Sequence, residues 1–271
     1  MVLLTGYSGF LGKHILSELG NNFRTLGRSE NADIVCDLSE QVPQIDVSIS
    51  RVIHAAGRAH TVPRTQSEKD EFFRVNLTGT LNLLKGLQVR QVQQFVLISS
   101  VSVLEEEHRS PYGQSKWEAE RVVLEWCKQN NTNALILRLP LIWGENAPGN
   151  LGAMEKAIKN GYYFAFGEGN AVRAMVDIKE VSSFIAKLKG NESGVFTLVS
   201  FHRSYREVEI IFAQKYKKRI KRLPGCLVKI AAKLGDKLPG FPINSYRLNK
   251  LETSLTFDDS VARQELCWGN Y

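Results

Sequence analysis

Thr5–Gly12 reads TGYSGFLG, and this stretch decides the fold. It follows an apolar run read as a buried strand (VLLTG) and opens a segment with helical spacing (FLGKHILSELG). Gly6, Gly9 and Gly12 stand at that junction. One glycine permits a tight turn, the next lets a pyrophosphate approach the backbone, and the third allows close helix–strand packing. The helix beginning there offers free N–H groups and the positive end of its dipole. The junction predicts a dinucleotide site formed by Gly6, Ser8, Gly9, Phe10, Leu11 and Gly12.

The same alternation continues outward. FRTLG (23–27), ADIVCDL (32–38), RVIHAAG (51–57) and QFVLISS (94–100) read as strands, and NALILRLPLIWG (133–144) closes the series. Helical patterns lie between them, among them EKDEFFRVNLTGTLNLLKGL (68–87) and a helix opened by SPYGQSKWEAE (110–120). Val-, Ile- and Leu-rich runs separated by amphipathic helices predict an α/β fold with a doubly wound parallel sheet. After Gly144 the texture changes to a loop and shorter strand candidates, YYFAFG, AMVDI and VFTLVS. We expect a dinucleotide-binding core over 1–145, with strands near 174–200 returning to it. A smaller mixed lobe is expected over 146–173 and 201–271.

The chain has 271 residues, 43% apolar and 23% charged, as soluble globular proteins do. No run approaches the roughly 20 apolar residues needed to span a bilayer. A buried-strand pattern starts directly after Met1, which reads as no secretory signal. Cys36, Cys127, Cys226 and Cys267 show no ligand spacing, so reduced thiols, a cytoplasmic protein and no metal are expected. The net charge of +7 comes largely from KYKKRIKRLPGCLVK (215–229). A solvated helix face ranks first for this stretch, a weak membrane-surface contact second and nucleic acid last.

Three further places carry chemistry. At the end of the second strand an acid would bind ribose hydroxyls, whereas an arginine would accommodate a 2′-phosphate. Arg28 stands there, with Glu30 just beyond, so NADP(H) is favoured over NAD(H). Asp37 and Leu38 could hold and pack an adenine, or Asp37 could merely cap its strand. Ala55, Ala56 and Gly57 are small enough to let a cofactor cross the strand ends, or to pack a helix closely. Ser99, Ser100 and Ser102 close the fifth strand at the same sheet edge, where a hydroxyl could serve a reacting oxygen or a cap. Tyr112 and Lys116 are four apart, on one helical face. A nearby ammonium would lower the phenol's pKa.

Taken together, TGYSGFLG, VIHAAG, VNLTGTLNLL, FVLISSVSV, SPYGQSKWEAE, LILRLPLIWG and AMVDIKEV resemble the extended short-chain dehydrogenase/reductase (NAD-dependent epimerase/dehydratase) family. They stand in family order over nearly the whole chain. The resemblance implies a Rossmann core, with Tyr112 as general acid/base, Lys116 lowering its pKa and bonding the nicotinamide ribose, and Ser100 as the catalytic hydroxyl. It places Ser99 and Pro140 on the cofactor side, and makes Asn76 a structural or cofactor-side residue. In the smaller lobe it nominates Asn150, Leu151 and Arg173 for the diphosphate of a UDP-sugar, and Phe166 for the base. A homodimer is implied by the same resemblance.

HAAGRAH, SSVSV, YGQSKWEAE and LPLIWG are most similar to the bacterial reductases of UDP-2-acetamido-2,6-dideoxy-hexos-4-uloses, used in surface-polysaccharide assembly. His60 recurs in that branch. Leu104 and Glu105 replace the VYG of typical epimerases, the span from Ser100 to Tyr112 is short, and Leu141 stands where epimerases often carry asparagine. These departures favour reduction over 4-epimerisation, the first alternative. A catalytically silent NADP-binding scaffold is the second.

Overall fold

The structure, a computed structural model, describes residues 1–59, 63–87, 92–105, 109–223, 225–236 and 245–269. His60 lies outside the described residues, as does position 224 within the basic 215–229 stretch.

Strand β1 (Val2–Thr5) passes through the glycine turn into α1 (Phe10–Glu18), followed by β2 (Phe23–Gly27), β3 (Ile34–Val35) and β4 (Arg51–His54). Helices α2 (Gln66–Phe73) and α3 (Gly79–Gly86) are joined by a π-helical turn at Arg74–Thr78. Then come β5 (Gln94–Ser100), a 3₁₀ turn at Val101–Leu104, α4 (Pro111–Gln129), β6 (Asn133–Leu139) and β7 (Leu141–Trp143). The chain continues through α5 (Gly149–Asn160), β8 (Phe164–Phe166), β9 (Val172–Asp177), α6 (Ile178–Ala186) and β10 (Gly194–Thr197). Last are β11 (Phe201–Ser204), α7 (Tyr205–Tyr216), β12 (Lys221–Leu223), α8 (Gly225–Gly235), α9 (Ser245–Glu252) and α10 (Ser260–Leu266).

Seven strands form one sheet in the order β10-β6-β5-β4-β1-β2-β3, every described pairing parallel. Successive side chains of a strand point to opposite faces, and the core divides accordingly. Leu4, Ile53 and Val96 pack with Ile15 of α1 and Val181 and Phe184 of α6. Their neighbours Leu3, Val52 and Phe95 pack on the other face with Leu83 of α3 and Val123 of α4. Burying each such side chain is worth about 1.5–3 kcal/mol, so the two-sided pattern enforces the register.

Pro140, lacking an N–H, separates β6 from β7 where the sequence reads as one strand. ADIVCDL pairs only through Ile34 and Val35. The chain falls into two compact units, 1–144 with 176–199 and 258–271, and 145–175 with 200–257. The C-terminal assignment is thereby corrected: residues 258–271, expected in the smaller lobe, belong to the first unit. The physical reason is Trp268, whose fully buried ring meets Phe184 edge-on at 5.4 Å and whose Nε1–H donates to the Val199 carbonyl at 3.0 Å.

The second unit holds two small strand pairs, β9 with β11 antiparallel and β8 with β12 parallel. The basic stretch read as one helix face is different in the structure. Helix α7 stops because Lys217 turns left-handed at φ 52°, and β12 intervenes before α8.

Candidate active site

The glycine turn is built as the sequence predicts. Gly6 has φ +71°, and a Cβ there would stand 2.5 Å from the backbone of Ala55 and Ala56. A Cβ at Gly12 would stand 2.1 Å from the Gly6 carbonyl oxygen, so α1 meets the turn backbone to backbone. Gly9 caps α1 without a side chain, no acid lies in its first turn, and Ser8 and Gly9 are exposed. Phe10 is half-buried and Leu11 is buried in the core. Leu11 is thereby an anchor of the turn through its side chain. Such a turn fits a pyrophosphate: its backbone is exposed at Ser8 and Gly9, and no carboxylate in the first turn of α1 opposes an anion.

The adjoining strand ends suit the same ligand. Ala55, Ala56 and Gly57 leave β4 with no large side chain, and Gly57 is exposed. A hydrogen-bonded chain behind them sets their position. Thr80 gives its proton to the Asn76 carbonyl at 2.6 Å, so it accepts from His54 Nε2 at 3.0 Å. That leaves His54 Nδ1 to accept from Thr5 Oγ1 at 2.6 Å, and Thr5 Oγ1 accepts from the Ala56 N–H at 3.2 Å. Burial, aided by the charge of Lys116, lowers the His54 pKa to about 3 and keeps the ring neutral.

Asn76 sits within the π-turn, a local widening often found at functional sites. Its Oδ1 accepts from the Arg58 N–H at 2.7 Å, and its Nδ2 donates to Ser115 Oγ at 2.9 Å. It therefore ties the loop after β4 to α4.

Helix α4 begins at Ser110, whose hydroxyl accepts from the Gly113 N–H at 3.1 Å, with Pro111 in the first turn. Gly113 lets that turn rest on the 3₁₀ turn, since a Cβ would stand 2.5 Å from the Ser102 carbonyl oxygen. Tyr112, half-buried beside Phe72, is brought near Ser100, whose hydroxyl donates to Ser102 Oγ at 3.2 Å. Lys116 is buried, and one of its N–H groups donates to the Ile98 carbonyl at 2.5 Å. A Cβ on Gly57 would be 3.7 Å from Lys116 Nζ and 3.1 Å from Asn76 Oδ1. Ser100, Tyr112, Lys116 and the β4 loop thus share one end of the sheet.

Electrostatics correct one expectation. Burial raises the Tyr112 pKa, the nearby Ser100 hydroxyl opposes this, and Lys116 is not among the causes. The Lys116 ammonium is directed to Ile98 instead. Its own pKa falls to about 8 through burial, with Glu120 pulling the other way.

Glu120 was not singled out from the sequence. Buried one turn beyond Lys116, it accepts from Ser99 Oγ at 2.5 Å and from Arg138 at 2.7 Å. Ser99 therefore faces this ion pair. The spacing of an acid four residues after Lys116, on the same face, was the available signal.

At the second strand's end Arg28 is 80% exposed and lies 3.9 Å from Asp37 Oδ2. Burial would raise the Asp37 pKa, but hydrogen bonds from Ser39 and the charges of Arg28 and Arg74 outweigh it and hold it low. Leu38 is buried, and its carbonyl accepts from Asn82 at 2.9 Å. Pro140 is half-buried just past β6. In the second unit, Asn150 is exposed and Leu151 buried in α5, and Phe166 ends β8. Arg173 is buried, donates to the Thr253 carbonyl and lies over the Tyr205 ring. Among the described residues no cluster of His, Cys, Asp and Glu could hold a metal.

Residues 2–195 match the model of the NAD dependent epimerase/dehydratase family. Among curated proteins, the chain is similar to N-acetyl-alpha-D-glucosaminyl-diphospho-ditrans,octacis-undecaprenol 4-epimerase of Escherichia coli O157:H7, at 28% identity over 218 residues. The match takes in 71% of this chain and spans 64% of that relative's length. Among solved structures, MoeE5 in complex with UDP-glucuronic acid and NAD superposes with a TM-score of 0.75 at 22% identity, covering 98% of this chain and 92% of that one. RMD from Pseudomonas aeruginosa complexed with NADPH superposes at 0.72 and 22%, with the same coverage. At these identities the structural likeness is one of fold.

Proposed function

The chain belongs to the NAD dependent epimerase/dehydratase family, and on that premise we propose that it is a nucleotide-sugar reductase acting on the C4 carbonyl of a UDP-2-acetamido-2,6-dideoxy-hexos-4-ulose, for surface-polysaccharide assembly. The observation that carries the reading is the grouping of Ser100, Tyr112 and Lys116 beside the small residues of the β4 loop.

A nicotinamide cofactor with its pyrophosphate held at the glycine turn would supply the hydride. Tyr112 gives its proton to the C4 oxygen; burial keeps the phenol protonated, as a general acid must be. Ser100 donates to the same oxygen and polarises the carbonyl. Lys116, with N–H groups beyond the one on Ile98, holds the nicotinamide ribose. Asn76 keeps the β4 loop in place against α4. The exposed guanidinium of Arg28 supports NADP(H) over NAD(H), because it can reach a 2′-phosphate. The same reading assigns Asn150, Leu151, Phe166 and Arg173 to the nucleotide diphosphate, and a homodimer as the assembly.

A second reading is a 4-epimerase, which the name of the E. coli relative favours. The two separate in one incubation of the purified protein with the 4-keto sugar nucleotide and NADPH. Stoichiometric loss of NADPH with a new 6-deoxy-N-acetylhexosamine nucleotide supports the reductase. No loss, together with interconversion of UDP-N-acetylglucosamine and its C4 epimer, supports the epimerase.

A further inference from the structure

The net charge of +7 is concentrated in one stretch: from Lys215 to Asp236 the chain carries eight Lys and Arg against the single acid Asp236, a net of +7, so the rest is formally neutral. Lys215 and Arg222 are paired, with Glu155 at 2.8 Å and Glu209 at 2.5 Å. Lys217, Lys218, Arg219 and Lys221 are exposed between α7 and the start of α8, and Lys229 and Lys233 are exposed on α8 itself.

Helix α8 has two apolar stripes. Val228 and Ala232 are buried against Leu248 of α9, with Leu223 of β12 alongside. Ile230 and Leu234, however, are 57% and 54% exposed. They are four residues apart and so share one face. Lys229 and Lys233 each precede them by one position, about 100° around the helix. Single exposed aliphatics need no explanation. A paired outward stripe edged by lysines, on a helix whose inner stripe is already packed, has the geometry of helices that lie in a membrane interface. Lysine stems can rest on the apolar layer while their ammonium groups stay with headgroups.

We propose that the outward face of α8, together with the basic segment leading into it, docks this protein on an anionic lipid surface. Among the described residues no helix is long and apolar enough to cross a membrane, so the contact is peripheral. Single-stranded nucleic acid would call for stacking aromatics. Between 215 and 236 the one aromatic is Tyr216, whose hydroxyl donates to Glu155 and whose ring is covered by Lys159 and Lys215.

Co-sedimentation of the full chain with vesicles tests this, using phosphatidylcholine alone or with an equal part of phosphatidylglycerol. Binding to the anionic vesicles alone, weakening as salt rises, is expected. The double change Ile230→Glu and Leu234→Glu should lower binding about tenfold or more. Lys229→Gln with Lys233→Gln should lower it about tenfold. Ile230→Trp should show a blue-shifted emission on the anionic vesicles. Melting temperatures check that each variant is folded, which the exposure of these positions favours. Absence of binding to the anionic vesicles overturns the proposal, as does undiminished binding by the folded Glu pair. Tighter binding to a single-stranded oligonucleotide that vesicles do not displace also overturns it, in favour of nucleic acid. The assay uses neither substrate nor cofactor, so its result is independent of the catalytic reading.

Discussion

Lys116 of α4 donates its ammonium proton to the carbonyl oxygen of Ile98, 2.5 Å away on β5, the strand that ends in Ser100. This bond fixes the lysine deep in the first unit, and burial there lowers its pKa from 10.5 to about 8.

Two opposite slopes with pH follow. Between about pH 8 and 10.5 the unfolded chain holds a proton on Lys116 that the native chain has lost, so this group's contribution to stability rises with pH. On the proposed reading activity needs the ammonium, so kcat/KM should fall through about pH 8. Lys116→Met should melt at least as high as the native protein near neutral pH and lose about a hundredfold in turnover. A kcat/KM that stays level well above pH 8 would remove Lys116 from the mechanism.

For Tyr112, the change to Phe removes the proposed proton donor but keeps the ring beside Phe72. Turnover should fall about a hundredfold or more while the KM for cofactor hardly moves. Full activity in steady-state kinetics would mean another group protonates the sugar.

Gly12→Ala places a methyl 2.1 Å from the Gly6 oxygen, so the turn must shift. We expect a loss of about 1–3 kcal/mol on denaturant titration, together with weaker cofactor binding. Gly20→Ala, where nothing lies within 4 Å, is the control and should be nearly silent.

Glu120→Gln keeps the shape of the buried acid but removes the charge that supports the Lys116 ammonium. The alkaline limb of the activity profile should move to lower pH. Glu120→Ala, which strands Arg138, should cost about 3–5 kcal/mol in addition. An unmoved limb in the Gln variant would show that Glu120 only braces the fold.

His54 is neutral in the native chain down to about pH 3, while the unfolded ring takes a proton near 6.5. Stability should therefore fall as pH drops from 6.5 toward 3. Urea titrations of His54→Gln should show a flatter acid limb than the native protein.

Much of the first unit was legible because its signals are local and periodic. The spacing of Gly6, Gly9 and Gly12 required a turn and a helix start, and apolar runs such as Phe95–Ile98 required two covered faces. The Tyr112–Lys116 pairing was legible as a shared face, but its electrostatics were not. The direction of Lys116 depends on the Ile98 carbonyl, which belongs to a different element. Strand β12 was hidden because Lys217 adopts a left-handed conformation that its residue type does not announce. The return of 258–271 to the first unit rests on Trp268 finding a ring and a carbonyl far away in sequence, with Ala262 and Leu266 in the same core. Glu120 and Arg138 are eighteen positions apart on a helix and a strand, and only their packing makes them partners.

The π-turn at Arg74–Thr78 lets one continuous helical rod serve two unlike duties. An α-helix advances about 100° per residue, so a wide turn that absorbs one extra residue re-phases everything after it. Before it, Phe72 is placed beside Tyr112; after it, Leu83 and Leu84 face the sheet. Shortening this segment by one residue would leave its composition almost intact and set the two halves out of step by roughly a quarter turn. A one-residue deletion here should therefore disable the protein even where it spares Phe72 and Asn76 themselves.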